Sequence, residues 1–226
     1  MHLRIASSLL VVLALGACAR KDASTQTAAE AQRGERVALP DASPGEVTLD
    51  DVLRRRRSIR SYSTEPIALA DVGKLCWAAQ GITDPSGGGR TAPSAGALHP
   101  LELYVVHPSG LYHYEPREHE LRQRDHVDHR AALGHASLDQ EAVVHAAVDL
   151  VVTAVVSRSS AKYGDRGERY AFIEAGHAGQ NVLLEATAMG LGAVPLGGFD
   201  DDGVRDVLGV GRDELPVYVI AIGPPG

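Results

Sequence analysis

The stretch TAPSAGALHPLELYVV, Thr91 to Val106, decides how the chain is read. Its second half, Leu101 to Val106, has the alternation and β-branched content of a strand. Its first half offers only Ala, Gly, one Ser and one Pro between Thr91 and Leu98, after a Ser86-Gly-Gly-Gly89 run. So bare a backbone invites something to approach it closely, because a missing side chain is what lets another surface reach the main chain. Ala92-Pro-Ser94-Ala-Gly96 approaches the G-x-S-x-G nucleophile elbow, which needs a strand before the Ser and a helix after it. A glycine-rich loop precedes Ser94 and Pro100 obstructs a helix beyond it, so the context argues against a serine hydrolase.

Working outward, Thr48-Leu-Asp-Asp has the form of a capped helix start leading into Arg54 to Arg57, and Leu69 to Gln80 carries apolar residues at helical spacing. Leu111 to Tyr114 follows the turn residues Pro108-Ser109-Gly110 as a second strand. A helix is expected over 138–147, a buried strand from Asp149, a long helix over 168–189 ended by Gly190, and a last buried strand over 215–222. Helices grouped around four or so strands, without regular βαβ alternation, define an α+β fold of about 180 residues from Val47 to Gly226.

The densest positive charge is Arg54-Arg55-Arg56-Arg57-Ser58-Ile59-Arg60. Planar guanidinium forks beside a hydroxyl suit an anion such as a phosphate; the other reading is a solvated helix end whose cations meet the negative dipole terminus. Gly87-Gly88-Gly89 lacks the Gly-Lys-Ser/Thr of a phosphate loop, and the glycines from Gly190 to Gly198 close a helix instead of opening one, which excludes a dinucleotide fingerprint. His113, His119, His126, His129 and His135 raise the question of a metal, but no Cys lies near them and they read as surface residues, so no metal site is expected. Gly176 and Gly179 in the long helix each cost close to 1 kcal/mol against Ala, which close approach of another backbone would offset.

Four of these stretches together, Arg56 to Tyr62, Thr91 to Val106, Lys162 to Gly192 and Val194 to Phe199, resemble the nitroreductase-like flavoproteins, and among them the SagB-type dehydrogenases that oxidise azolines to azoles in peptide natural products. The resemblance implies a nitroreductase-like α+β fold, a central mainly antiparallel sheet flanked by helices, in an obligate-type homodimer with flavin mononucleotide (FMN) at the subunit interface. Carried over by position, Arg56, Arg57 and Ser58 would hold the phosphate and Arg60 the polar edge of the ring. Pro93, Ser94 and Gly96 would line the ring and ribityl chain, and Pro195, Leu196, Gly197 and Gly198 would form the segment facing the redox-active nitrogen. Lys162-Tyr163 resembles the pair serving proton transfer in the azoline-oxidising branch; two surface residues beside a glycine turn is the other reading. Ala97 stands where the nitroreductase branch commonly has Asn, and Gly223-Pro-Pro-Gly226 stands where many members place a further cation. The activity implied is an FMN-dependent oxidoreductase moving a hydride between flavin N5 and a small-molecule or peptide substrate. The alternative is a non-catalytic flavin-binding or interaction protein of the cell envelope.

The first residues have Arg4, an apolar core from Ile5 to Leu15 and Gly16-Ala17 before Cys18, which reads as a signal peptide over 1–17. Leu15-Gly-Ala-Cys18 resembles a lipobox, so Cys18 is expected to carry the lipid that anchors the protein to a bacterial envelope membrane, with 18–46 as a tether and 47–226 as the domain. Cys76 is then left without a disulfide partner. Removing 1–17 takes the formal charge from -7 to -8, which argues against nucleic acid as partner.

Overall fold

The computed structural model describes residues 34–42 and 45–226. A seven-stranded antiparallel sheet forms the centre, built from β1 (Arg36–Ala38), β4 (Leu101–His107), β5 (Gly110–Glu115), β6 (Glu120–Asp125), β7 (Val148–Ala154), β8 (Gly192–Leu196) and β9 (Leu215–Gly223). Its spatial order is β1-β6-β5-β4-β7-β9-β8, and β2 (Ile82–Asp84) and β3 (Gly89–Arg90) make a separate hairpin. Every residue of β7 is buried, as its unbroken apolar run requires of a strand covered on both faces.

Two helical layers cover the sheet. On one face lie α2 (Leu69–Gln80) and the 23-residue α6 (Arg166–Ala188), which bury Leu75, Cys76, Ala79, Ala175, Ala178 and Val182 against β4, β7 and β9. On the other lie α3 (Arg130–Ala136), α4 (Glu141–Val144) and α7 (Asp201–Leu208), packed through Leu133, Val143, Val204 and Leu208. The other α-helices among the described residues are α1 (Leu49–Arg55) and α5 (Val156–Tyr163). Thr48 caps α1 by accepting from the Asp51 N–H at 3.3 Å, and Gly190 at φ +76° ends the turn after α6.

Three expectations are corrected. The domain begins at Glu35 rather than 47, because β1 lies inside the expected tether: Val37 pairs with Leu121 and the Arg36 guanidinium meets the Glu120 carboxylate at 3.0 Å. The helix expected over 138–147 is cut to α4, since Leu138 and Asp139 take left-handed backbone (φ +59° and +55°) and separate it from α3. The strands exceed four, because β6 (ELRQRD) is an outer strand with polar faces that hydropathy alone passes over. Cys76 is free and buried, and burial pushes its thiol up. Cys18 and the expected signal peptide lie outside the described residues. No described helix is long and apolar enough to cross a membrane.

Candidate functional site

Loop 91–100 is held at both ends and bare at its tip. The Thr91 N–H donates to Gly81 O at 3.0 Å, and Asn181 of α6 reaches Thr91 O at 3.2 Å. Beyond the tip, the Val155 N–H, just before α5, donates to Pro100 O at 2.8 Å and Arg158 Nη1 to His99 O at 3.1 Å. Between these anchors Gly96, Ala97 and His99 all have positive φ, +65°, +53° and +46°. Pro93, Gly96 and Ala97 are exposed.

Ser94 braces this turn: its Oγ accepts from the His99 N–H at 2.9 Å, and its carbonyl accepts from the Ala97 N–H at 3.1 Å. The Glu174 carboxyl of α6 lies beside the same hydroxyl, which favours its charged form. Loop shape is therefore written into a side chain that the sequence offers equally as a nucleophile or a ligand contact.

Lys162 and Tyr163 come to this loop from the last turn of α5. A Cβ placed on Gly96 would lie 2.7 Å from Tyr163 Oη and 2.9 Å from Lys162 Nζ, so both side-chain ends stand directly over the glycine. Lys162 Nζ is 5.5 Å from the Tyr163 ring centre, and Tyr163 packs edge-on against Tyr170 at 5.0 Å. Two residues that could have been an incidental surface pair are thus gathered over a bare stretch of backbone.

Behind the loop lies a polar cluster that sequence reasoning missed. Glu174 is 2 % exposed with Oε1 unpartnered, and Arg90 gives Nη1 to Gln80 Oε1 at 2.6 Å while its Nε has no partner. Burial raises the Glu174 carboxyl to about 7, against the opposing Ser94 hydrogen bond and Arg90 charge. The sequence signal was available: Glu174 is the one acid on the α6 face that otherwise buries Ala171, Ala175, Ala178 and Val182. Because the folded value lies above the ordinary carboxyl range, this group favours the folded state most below the unfolded pKa of about 4.3 and loses that contribution as pH rises through about 7. Glu174→Gln is therefore expected to raise the melting temperature more at pH ~8 than at pH ~5; an equal shift at both would contradict a buried, titrating Glu174.

The basic run forms a second cluster at the edge of the sheet. Ser58 makes a parallel bridge with Ala193, and the Ile59 N–H donates to Ala193 O at 3.1 Å, so the segment docks on the outer edge of β8. Tyr62 fastens its far end, its hydroxyl lying 2.8 Å from Ile59 O and 2.9 Å from Ala221 O. Arg57 is committed: its Nη1 bonds the Arg54 and Arg56 carbonyls at 2.9 and 2.7 Å, capping the C-terminus of α1. Among the described residues Arg56, Arg57 and Arg60 have no carboxylate at ion-pair distance, unlike Arg54, which meets Asp51. Arg56, Ser58 and Arg60 therefore keep uncommitted donors at the start of β8.

Pro195 lies on this edge strand, where a residue without an N–H is tolerated, and Leu196 buries its side chain in the core, leaving only its backbone for any ligand. Gly197 and Gly198 follow, exposed, with nothing within 4 Å of where a Cβ would stand. At about 3.3 Å per residue the glycine ledge lies ~13 Å along the strand from the level of Ser58. The two clusters leave uncommitted cationic donors beside an open glycine ledge, and a bare loop tip with a Lys-Tyr pair on another element.

The two glycines of α6 differ. A Cβ on Gly179 would meet the Tyr218 ring of β9 at 3.3 Å, so this glycine serves packing within the chain and is no handle on a partner helix. Gly176 has open space above it and shares an exposed helical face with Phe172 (44 % exposed) and Ile173 (48 %).

The fold is thus an antiparallel sheet covered by helices on both faces, with the basic segment docked along its edge strand. The chain belongs to the nitroreductase family, whose model matches residues 53–224. A candidate nitroreductase of Methanocaldococcus jannaschii is 39 % identical over 83 % of this chain and 95 % of its own. The crystal structure of a candidate nitroreductase from Ralstonia eutropha superposes with a TM-score of 0.75, at 29 % identity over 86 % of this chain and 94 % of that one. The NADPH:FMN oxidoreductase of Vibrio harveyi, crystallised with NAD+, shares the fold at 22 % identity and a TM-score of 0.58, over 78 % of this chain and 68 % of that one.

Proposed function

We propose that the protein is an FMN-dependent oxidoreductase of the SagB-type branch, acting as a homodimer on a small molecule or peptide. The observation that carries the reading is the placement of Lys162 and Tyr163 over Gly96 at the exposed loop tip. The residues fit the cofactor: Arg56, Ser58 and Arg60 offer unspent donors for a phosphate, and Gly197 and Gly198 leave their backbone open to a flat ring. FMN would supply hydride transfer at its N5. The chain's own part is positional and protonic. Arg56, Ser58 and Arg60 would bind the phosphate, backbone N–H groups at the ledge would face developing negative charge, and Pro93 with Gly96 would bound the ring face. Tyr163 Oη and Lys162 Nζ stand where a substrate proton can be accepted or returned.

The exposed Phe172 and Ile173 support the homodimer, because neighbouring apolar side chains on one helix face are the kind of surface a subunit covers. Lipidation at Cys18 would place the enzyme at the envelope surface, where free NAD(P)H is scarce and oxygen or a quinone-like compound is the more available acceptor. A signal peptide over 1–17 belongs to the same proposal.

Lys162→Met and Tyr163→Phe test the reading. Each is expected to keep flavin and dimer while lowering turnover by about 10²- to 10⁴-fold, the range of a lost general acid or base. Undiminished turnover in both variants would leave the Lys-Tyr pair without a catalytic part and favour a flavin-binding protein that has no chemistry of its own.

A further inference from the structure

The hairpin of β2 and β3 leans over the loop tip, and between them lies a cavity of about 310 Å³ lined by Arg90, His99, Arg117, Gly88, Ile82 and Ala97 among others. We infer that this cavity holds the carboxylate of a small organic substrate whose reacting end lies at the loop tip. The inference rests on the flavin reading above for the word substrate, and on the cavity itself for the word carboxylate.

The charges are one-sided. Arg90 and Arg117 also line a neighbouring cavity of about 180 Å³, where Glu102, Glu115 and Glu118 answer them. Glu102 is in turn held by His113 at 2.8 Å and Arg158 at 2.5 Å. The cavity at the loop tip has no carboxylate in its lining. Asp84 lies on the hairpin outside that lining, its Oδ1 held by the Ser86 hydroxyl at 2.6 Å and the Ser86 N–H at 3.0 Å. Glu174 stands near Arg90 and is buried behind the loop, outside the lining.

Donors are left over as well. Among the described residues Arg90 commits Nη1 to Gln80 Oε1 and makes no side-chain hydrogen bond through Nη2. Arg117 is exposed with no ion-pair partner among the described residues; burial is the main cause that lowers both Arg90 and His99, and the Arg117 charge acts in the same direction, against Glu174 and Glu102 at Arg90. Like charges gathered around a hollow in an acidic protein are relieved by an anion, and the guanidinium fork matches a carboxylate. The apolar remainder, Ile82, Pro85 and Ala97, suits a carbon skeleton carrying that group. Ala97 joins the cavity to the loop tip, and Gly96 beside it lies under Lys162 and Tyr163. A carboxylate anchored on Arg90 and Arg117 would thus orient its carrier toward the Lys-Tyr pair.

The test compares para-nitrobenzoate with the neutral para-nitrobenzyl alcohol by calorimetric titration of the full chain after incubation with FMN, in the wild type and in Arg117→Gln. The acid is expected to bind about tenfold or more tighter than the alcohol, and Arg117→Gln to remove most of that difference while leaving the alcohol's affinity unchanged. Inorganic phosphate is expected to compete only weakly; phosphate binding as tight as the acid's would overturn the substrate assignment in favour of a phosphate site. A flavin-loaded protein with no preference for the acid, or an Arg117→Gln variant weakening both ligands alike, would overturn the inference alone. A protein that takes up no flavin yet keeps the preference would overturn the flavin reading and support the site.

Discussion

Gly96→Ala is expected to lower turnover by about 100-fold while lowering stability by ~1–2 kcal/mol. The added Cβ would stand 2.7 Å from Tyr163 Oη and 2.9 Å from Lys162 Nζ, closer than either can tolerate. Both are far ends of side chains that can swing away, so the fold survives and the pair is displaced from the loop tip. The residue's φ of +65° adds the left-handed strain of about 1–2 kcal/mol that an L side chain meets there. Misplacing a catalytic group by about 1 Å can cost ~10²-fold in rate. Steady-state turnover and thermal melting of the same preparation separate the two effects. A loss of melting temperature in proportion to activity would mean that Gly96 serves folding, not the site.

Arg56→Ala is expected to weaken FMN binding by about 30- to 150-fold, corresponding to ~2–3 kcal/mol for charge-assisted hydrogen bonds to phosphate, and Arg57→Ala hardly at all. The neighbours differ because of what already holds them. Arg57 spends its Nη1 on the carbonyls of Arg54 and Arg56 at the end of α1, whereas Arg56 makes no ion pair among the described residues. Removing Arg57 should cost the helix end about 0.3–1 kcal/mol, visible in melting and not in flavin titration. Equal losses of FMN affinity in the two variants would contradict this division.

The strongest elements were legible because their patterns are local. The apolar run of β7, the helical period of α2 and the length of α6 with Gly190 after it can each be read from one window of sequence. Strands that depend on partners far away were not. β1 is three residues whose stability comes from pairing with β6, and β6 itself shows charged faces because it lies near the sheet edge. The same division runs through the site. Arg56, Ser58 and Lys162-Tyr163 stand out by residue type, but the separate fates of Arg56 and Arg57 depend on the carbonyls at the end of one helix. Gly176 and Gly179 look alike in sequence, and only the Tyr218 ring under Gly179 tells them apart. The Glu174-Ser94-Arg90 cluster is assembled from three segments whose separation in sequence hides it.

The cradle of Arg56 and Ser58, the open ledge of Gly197-Gly198 and the bare tip at Gly96 are all assigned to one cofactor, so its presence tests them together. The measurement is the visible absorption spectrum of the full chain, purified and incubated with FMN, then freed of unbound flavin. Retained flavin bands at about one FMN per chain, bleached by a chemical reductant and restored by air, are the result expected. A colourless protein that remains folded after the same treatment would contradict the account.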